Sequence, residues 1–221
     1  MTDTSNQDID GAENAPGKTT RVWDPLVRVF HWGLVAAFAV AWFSAEEMDT
    51  VHEVAGYVVA GLIAFRLVWG LVGSHYARFA EFLRGPSAIL GYAGDMIRGR
   101  ERRYLGHNPV GAVMIVALLV TLSATAWTGW LLEEPGRAAM LSELPQIAAP
   151  AFADEDGEYG EAGENGGETI AELHETFANL TLLLVALHVA GVVLSSFRHH
   201  ENLARAMVTG DKRAPGAGDV D

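Results

Sequence analysis

The chain has 221 residues, of which 50% are apolar and 19% charged, and its formal net charge is −13. It contains no cysteine, which excludes disulfide frameworks, cysteine-ligated metal clusters, thiol nucleophiles and covalently attached c-type haem. Its acidic balance, with neither a basic face nor a nucleic-acid motif, argues against binding to DNA or RNA. The charges fall into blocks separated by four nearly uncharged stretches of about 20 residues, the length that a helix needs to cross a bilayer.

These stretches predict four transmembrane helices in one domain, in contact with membrane lipid. The helices are expected at about 26–44, 52–73, 109–132 and 174–197, within a domain spanning 21–207. The acidic turn AEEMDT is so short that the first two helices must be antiparallel neighbours. We therefore predict an all-α fold, an integral membrane four-helix bundle.

The segments outside the helices are polar. Residues 1–20 and 208–221 are predicted to be disordered tails, and the Gly-rich acidic stretch 133–173 is predicted to be a flexible loop between the last two helices. Of the 15 Lys and Arg residues, all but Arg66 and Arg137 lie in the termini or near the 73–109 connection. The positive-inside rule then places both termini in the cytoplasm and the acidic loop outside.

Four histidines lie within or at the ends of the apolar stretches. His174 and His188 are 14 residues apart on one helix, which puts them on nearly the same face but ~21 Å apart, too far to share one metal ion. His52 opens the second helix at the depth of His174. His31 stands 13 residues before Ser44, which matches the depth of His188. The spacing thus predicts two level pairs, His52 with His174 outside and His31 with His188 inside.

Two imidazoles from facing helices are the axial ligands that a six-coordinate b-type haem iron requires. We therefore predict two non-covalent haem b groups, although a single membrane histidine can equally hydrogen-bond a neighbouring backbone. Small residues stand about one turn after three of these histidines, at Gly56, Ala178 and Gly191, and Gly56 is predicted to line the cofactor site. The other four histidines lie beside the connections and are interpreted as solvated surface, at His75, His107, His199 and His200.

Arg66 is the only full charge well inside an apolar stretch, and such a residue is a functional candidate because burying it in lipid is costly. It lies 14 residues after His52, on the same face and at the inner depth. We predict that its guanidinium binds a propionate of the inner haem. The alternative is that the side chain extends to the cytoplasmic headgroups.

At these residues the chain resembles the prokaryotic cytochrome b561 family and the related b-type cytochrome subunit of membrane nickel–iron hydrogenases. The matching segments are WDPLVRVFHW (23–32), VHEVAGYVVAGLIAFRLVWGLVGSHYARF (51–79), GHNPVGAVMIVALL (106–119), TGWLL (128–132) and HETFANLTLLLVALHVAGVVLSSFRHHENLARAM (174–207). The resemblance implies two haem b groups with their ligands on the four histidines named above, oxidation of quinol or reduction of quinone, and electron exchange with a protein partner. It also implies a location in a bacterial cytoplasmic (inner) membrane. The acidic loop departs from the short form of the family.

The predicted function is electron transfer across the bilayer between a quinone pool and a redox partner protein, as in a respiratory chain, with no catalytic side chain. The acidic loop holds eleven Asp or Glu residues between Glu133 and Glu172. It is a hypothetical docking surface for a basic periplasmic c-type cytochrome, or else a solvated spacer. One alternative function is a membrane-anchor subunit of a hydrogenase-like or other dehydrogenase complex. Another is a stand-alone enzyme acting on superoxide or ferric ion.

Overall fold

The structure is a computed structural model that describes residues 19–134, 137 and 164–220. Four long helices dominate it: α1 (Pro25–Ser44), α2 (Asp49–Val72), α5 (Pro109–Leu132) and α6 (Glu164–Arg198). Each is long and apolar enough to cross a membrane. The predicted all-α four-helix membrane bundle is confirmed. Short elements lie at one end: β1 (Thr19–Arg21), a 3₁₀ turn (His75–Ala77), α3 (Phe79–Phe82), α4 (Pro86–Ile97), α7 (Leu203–Thr209) and β2 (Asp211–Arg213).

Side-chain caps fix where two of the long helices begin. Asp24 precedes Pro25, and its Oδ1 accepts a 2.9 Å hydrogen bond from the backbone N–H of Val27. Its Oδ2 accepts from the Trp69 indole N–H at 3.3 Å and from the Ser74 hydroxyl, so one carboxylate joins the start of α1 to the end of α2. Burial acts to raise the pKa of Asp24, but these hydrogen bonds outweigh it and hold the pKa below its usual value.

Asn108 caps α5 in the same way. Its Oδ1 accepts from the backbone N–H of Gly111 at 2.7 Å, and Pro109 occupies the first turn, where a residue without an N–H leaves no intrahelical bond unmade.

The packing of the long helices leaves a gap on one side of α6. The helices pack in the order α1 on α2, α2 on α5 and α5 on α6, with Ala37, Val59, Ile63 and Leu122 buried in one cluster. Among the described residues, α6 makes at most slight backbone contact with α1 and α2. Space therefore remains between α6 and the α1–α2 pair.

The helix bounds differ from the predicted ones mainly at α6, which begins at Glu164 rather than at about 174. Ile170 in this extension is buried, so continuing the helix buries an apolar side chain while satisfying the backbone hydrogen bonds. Most of the predicted loop 133–173 lies outside the described residues, as do residues 1–18 of the predicted N-terminal tail.

The prediction that residues 208–221 form a disordered tail is wrong for the segment that the structure describes. β2 pairs antiparallel with β1, with Thr20 opposite Lys212. The Lys212 side chain is buried and its Nζ donates to the carbonyls of Tyr104 at 3.1 Å and Leu105 at 2.9 Å. We call the end of the bundle that carries this sheet the inner end, following the predicted orientation, and the opposite end the outer end.

A buried ionic cluster holds the C-terminal segment in place. Arg103 donates to both oxygens of Glu201, at 3.1 and 2.8 Å, and to Asp219, while Lys212 lies 3.7 Å from Glu201. Burial acts to raise the pKa of Glu201, but Arg103 and Lys212 outweigh it and lower the pKa. Because each buried charge has a partner of opposite sign, the segment is ordered despite its polar sequence.

Candidate functional site

The structure brings the four membrane histidines together in two pairs. The ring centroids of His31 on α1 and His188 on α6 are 6.5 Å apart, with the rings inclined by 53°. Those of His52 on α2 and His174 on α6 are 6.0 Å apart and nearly perpendicular, at 77°. Both pairs therefore lie across the gap beside α6, one towards each end of the bundle.

These distances fit two imidazoles bound to one iron. Two metal–nitrogen bonds of about 2 Å, added to the half-widths of two five-membered rings, put the ring centroids about 6 Å apart. A Cβ added at Gly56 on α2 or at Gly191 on α6 would meet nothing within 4 Å. The donors, their separation and the open space beside them fit a haem between each pair.

Backbone carbonyls of the neighbouring helices orient the outer pair. His52 Nδ1 lies 2.8 Å from the carbonyl oxygen of Ala41 on α1. His174 Nδ1 lies 3.0 Å from the carbonyl oxygen of Thr125 on α5, with the Thr128 hydroxyl at 3.2 Å. A carbonyl can only accept, so each Nδ1 carries the proton and each Nε2 lone pair is free for a metal.

Gly129 allows His174 to lie against α5. A Cβ at this position would stand 3.0 Å from His174 Cε1 and 3.3 Å from Nδ1, closer than carbon atoms normally approach. The sequence did not predict a role for Gly129, Thr125 or Thr128 at the histidine site. Each of them contacts His174, which is more than 40 positions away along the chain.

Buried polar atoms in and near the inner pair lack a hydrogen-bond partner within the described part of the chain. His31 Nδ1 is enclosed and unbonded, and so is Nη1 of Arg66. Arg66 is 4% exposed, and its guanidinium carbon lies 4.7 Å from the centroid of the Phe79 ring. Phe79 reaches this place because Gly70 has no side chain, since a Cβ there would stand 2.1 Å from the ring. Arg66 is thus buried at the inner end.

A model of the family described as prokaryotic cytochrome b561 matches residues 22–210. The chain belongs to this family. Comparison with curated proteins and with solved structures found no match. The protein is therefore a multi-pass membrane b-type cytochrome that binds haem and functions in electron transfer.

His107 was expected at the solvated surface of the cytochrome, and this expectation is wrong. Its ring lies 4.7 Å from the Trp23 ring and 4.7 Å from the Phe82 ring, and its Nδ1 is enclosed with no partner among the described residues. Burial, and then the positive charge of Arg66, lower the pKa of His107 to about 3. Its place beside the 73–109 connection indicated a solvated loop, whereas the packing of distant aromatic rings leaves the side chain half-buried. His75, by contrast, has an exposed side chain.

A hydrogen-bonded carboxylate lies at the outer end of the cytochrome, beyond the last residue of α5. Glu133 accepts from the Tyr57 hydroxyl and pairs with Arg137, whose guanidinium carbon lies 4.7 Å from the Trp130 ring centroid. The hydrogen bond from Tyr57 and then Arg137 lower the pKa of Glu133 to about 2. The group therefore stays negative at physiological pH.

Proposed function

We propose that this cytochrome carries electrons across the bilayer through two haem b groups, between a quinone pool and a protein redox partner. The observation that carries the proposal is the presence of two facing imidazole pairs, 6.5 and 6.0 Å between ring centroids, at two levels of α6. When bound, each haem supplies an iron that takes up and releases one electron.

The protein supplies the iron ligands, the distance between the two haems and a positive charge beside the inner one. His31 with His188 holds the inner haem and His52 with His174 the outer one. The 14-position spacing from His174 to His188 sets ~21 Å between ligands on the same helix. The Ala41 and Thr125 carbonyls fix the outer rings, and Arg66 binds a carboxylate of the inner haem. Both termini face the cytoplasm in this proposal.

The experiment is to change each ligand singly to alanine, count haems per chain and record the reduced-minus-oxidised spectrum. Changing His31 or His188 should remove the inner haem and leave the outer one, while changing His52 or His174 should do the reverse. His75→Ala is the matched control and should retain both haems. Retention of both after any ligand change would contradict the pairing. A variant that cannot be isolated is replaced by His→Gly with imidazole added as an exogenous ligand.

The proposed partner is a basic protein, such as a soluble c-type cytochrome, that docks on the acidic outer segment. This segment lies mostly outside the described residues, so the proposal rests on its sequence: eleven acidic residues between Glu133 and Glu172. A field of one sign raises association rates and is screened over ~8 Å at physiological ionic strength. Deleting residues 153–163, which precede α6, should leave both haems bound and reduce the rate and the salt dependence of electron transfer. If the rate of electron transfer and its salt dependence match those of the intact protein, the segment is a spacer.

A further inference from the structure

Five enclosed side-chain nitrogens have no hydrogen-bond partner among the described residues: Arg28 Nε, His31 Nδ1, Arg66 Nη1, Arg78 Nε and His107 Nδ1. Arg28 and Arg78 each bond through another nitrogen of the guanidinium, to the Val208 carbonyl and to Glu81, and His31 belongs to the inner histidine pair. Nη1 of Arg66 and Nδ1 of His107 remain. Buried polar atoms are almost always hydrogen-bonded, because an unsatisfied one loses its interactions with water and gains nothing in return. Two such atoms in one region indicate a partner that the polypeptide does not supply.

The two side chains lie in a common apolar and cationic environment. The Arg66 guanidinium is stacked on Phe79, and His107 is packed against Trp23 and Phe82. The Phe79 and Phe82 rings are themselves in contact, with their centroids 5.8 Å apart, so Arg66 and His107 lie against one cluster of aromatic rings. The positive charge of Arg66 acts on His107, as do Lys212 and the inner histidines His188 and His31. An anion would satisfy both free atoms and would offset the charge of Arg66.

The acid that acts on Arg66 within the described chain is already occupied. Asp24 accepts hydrogen bonds from the Val27 N–H, the Trp69 indole and the Ser74 hydroxyl. Those bonds use the oxygens of its carboxylate to join α1 to α2. The backbone N–H of Leu26 is a fourth donor to Asp24, so the acceptor sites of this carboxylate are filled. A second carboxylate would satisfy Nη1 of Arg66.

We propose that His107 is a second donor, beside Arg66, for a carboxylate of the inner haem. This inference rests on the proposed di-haem function. A carboxylate has two oxygens and about four acceptor sites, enough for the planar fork of Arg66 and one further N–H. With its pKa lowered to about 3, the imidazole of His107 is neutral at physiological pH and carries a single N–H, which the Nδ1–H tautomer directs to the carboxylate.

The C-terminal segment holds His107 in place for this role. Lys212 donates to the carbonyls of Tyr104 and Leu105, three and two residues before His107. Leu105 is itself buried in the cluster that includes Trp23. The strand pairing at the inner end therefore fixes the backbone from which the imidazole projects.

The experiment is a redox titration of both haems in the full-length chain carrying His107→Phe, which keeps the ring shape and removes the donor. A carboxylate that loses a donor leaves more negative charge near the iron and favours the oxidised state. The equilibrium constant for reduction of the inner haem should fall about tenfold, which lowers its midpoint potential by about 59 mV for one electron. The outer midpoint should stay fixed.

His107→Asn should restore most of the inner midpoint, because its amide nitrogen lies close to where Nδ1 stood. The matched control is His75→Phe, a change of the same kind at an exposed histidine of the same end, which should shift neither haem. Arg66→Leu should also lower the inner midpoint. The double change with His107→Phe should shift it by less than the sum of the two single shifts, because both side chains serve one carboxylate.

An inner midpoint in His107→Phe that equals the one in His75→Phe would overturn the inference, as would equal shifts of both haems or additive shifts in the double variant. Loss of the inner haem alone in His107→Phe, recovered in His107→Asn, counts as support. A wild-type chain that lacks two low-spin haems would instead refute the proposed function, so the two failures are distinguishable.

Discussion

Gly129→Ala tests how α5 controls the outer histidine pair. The added methyl group would stand 3.0 Å from His174 Cε1, whereas carbon atoms in contact are about 3.5–4.0 Å apart. The ring must therefore move by about half an ångström. Its 3.0 Å hydrogen bond from Nδ1 to the Thr125 carbonyl would lengthen to the limit of useful geometry, about 3.5 Å.

The size of the effect follows from that bond. A hydrogen bond of this kind contributes about 0.5–1.5 kcal/mol, and it makes the imidazole a stronger donor to iron, which favours the oxidised state. Since a tenfold change in a one-electron equilibrium is about 59 mV, losing the bond should raise the outer midpoint by about 20–60 mV. The inner midpoint should not change, because His31 and His188 do not contact Gly129.

The assay is a spectroscopic redox titration of purified protein with both haems bound. Gly61→Ala is the matched control: it is also a helix glycine, a Cβ there meets nothing within 4 Å, and it lies nine residues after His52, on the opposite face of α2. An unchanged outer midpoint in Gly129→Ala, or an equal shift of both haems, would refute the reasoning.

Two further predictions concern the inner end. Asp24→Ala should lower the free energy of unfolding by roughly 2 kcal/mol, because it removes the α1 cap and leaves the Trp69 and Ser74 donors unpaired. Thermal unfolding in detergent measures this change, and Asp24→Asn should lower the free energy of unfolding by less. An unchanged unfolding transition in Asp24→Ala would contradict the prediction. The ionic cluster should weaken in acid, because Glu201 and Asp219 have pKa values below their ordinary 4.5 and 3.8 in the folded state. Its stabilising effect is then complete above about pH 4.5 and is lost as the pH falls through the lowered values. Amide protection in 211–220, expressed relative to the exchange rate of an unstructured chain at the same pH, should fall as the pH drops below 3.8. Protection that stays constant through that acid range would count against the prediction.

Spacing along the sequence determined the bundle and the levels of its histidines. An uncharged stretch of about 20 residues has few options in lipid other than a helix, because every backbone polar group must be satisfied within the segment. The rise and period of that helix are fixed, so counting residues from Ser44 and from His174 was enough to match His31 with His188 and His52 with His174 by depth. Arg66 was predicted as a functional residue for a related reason, since a charge within such a stretch is costly to bury in lipid.

Tertiary structure alone decided what surrounds these residues. Gly129 against His174, His107 between Trp23 and Phe82, and Lys212 on the carbonyls before His107 each join positions that are 25 or more residues apart. Local periodicity cannot indicate such contacts, since they depend on how whole helices pack. The polar C-terminal segment reads as a solvated tail because its charges find partners only once Arg103 and Glu201 are brought together by the fold.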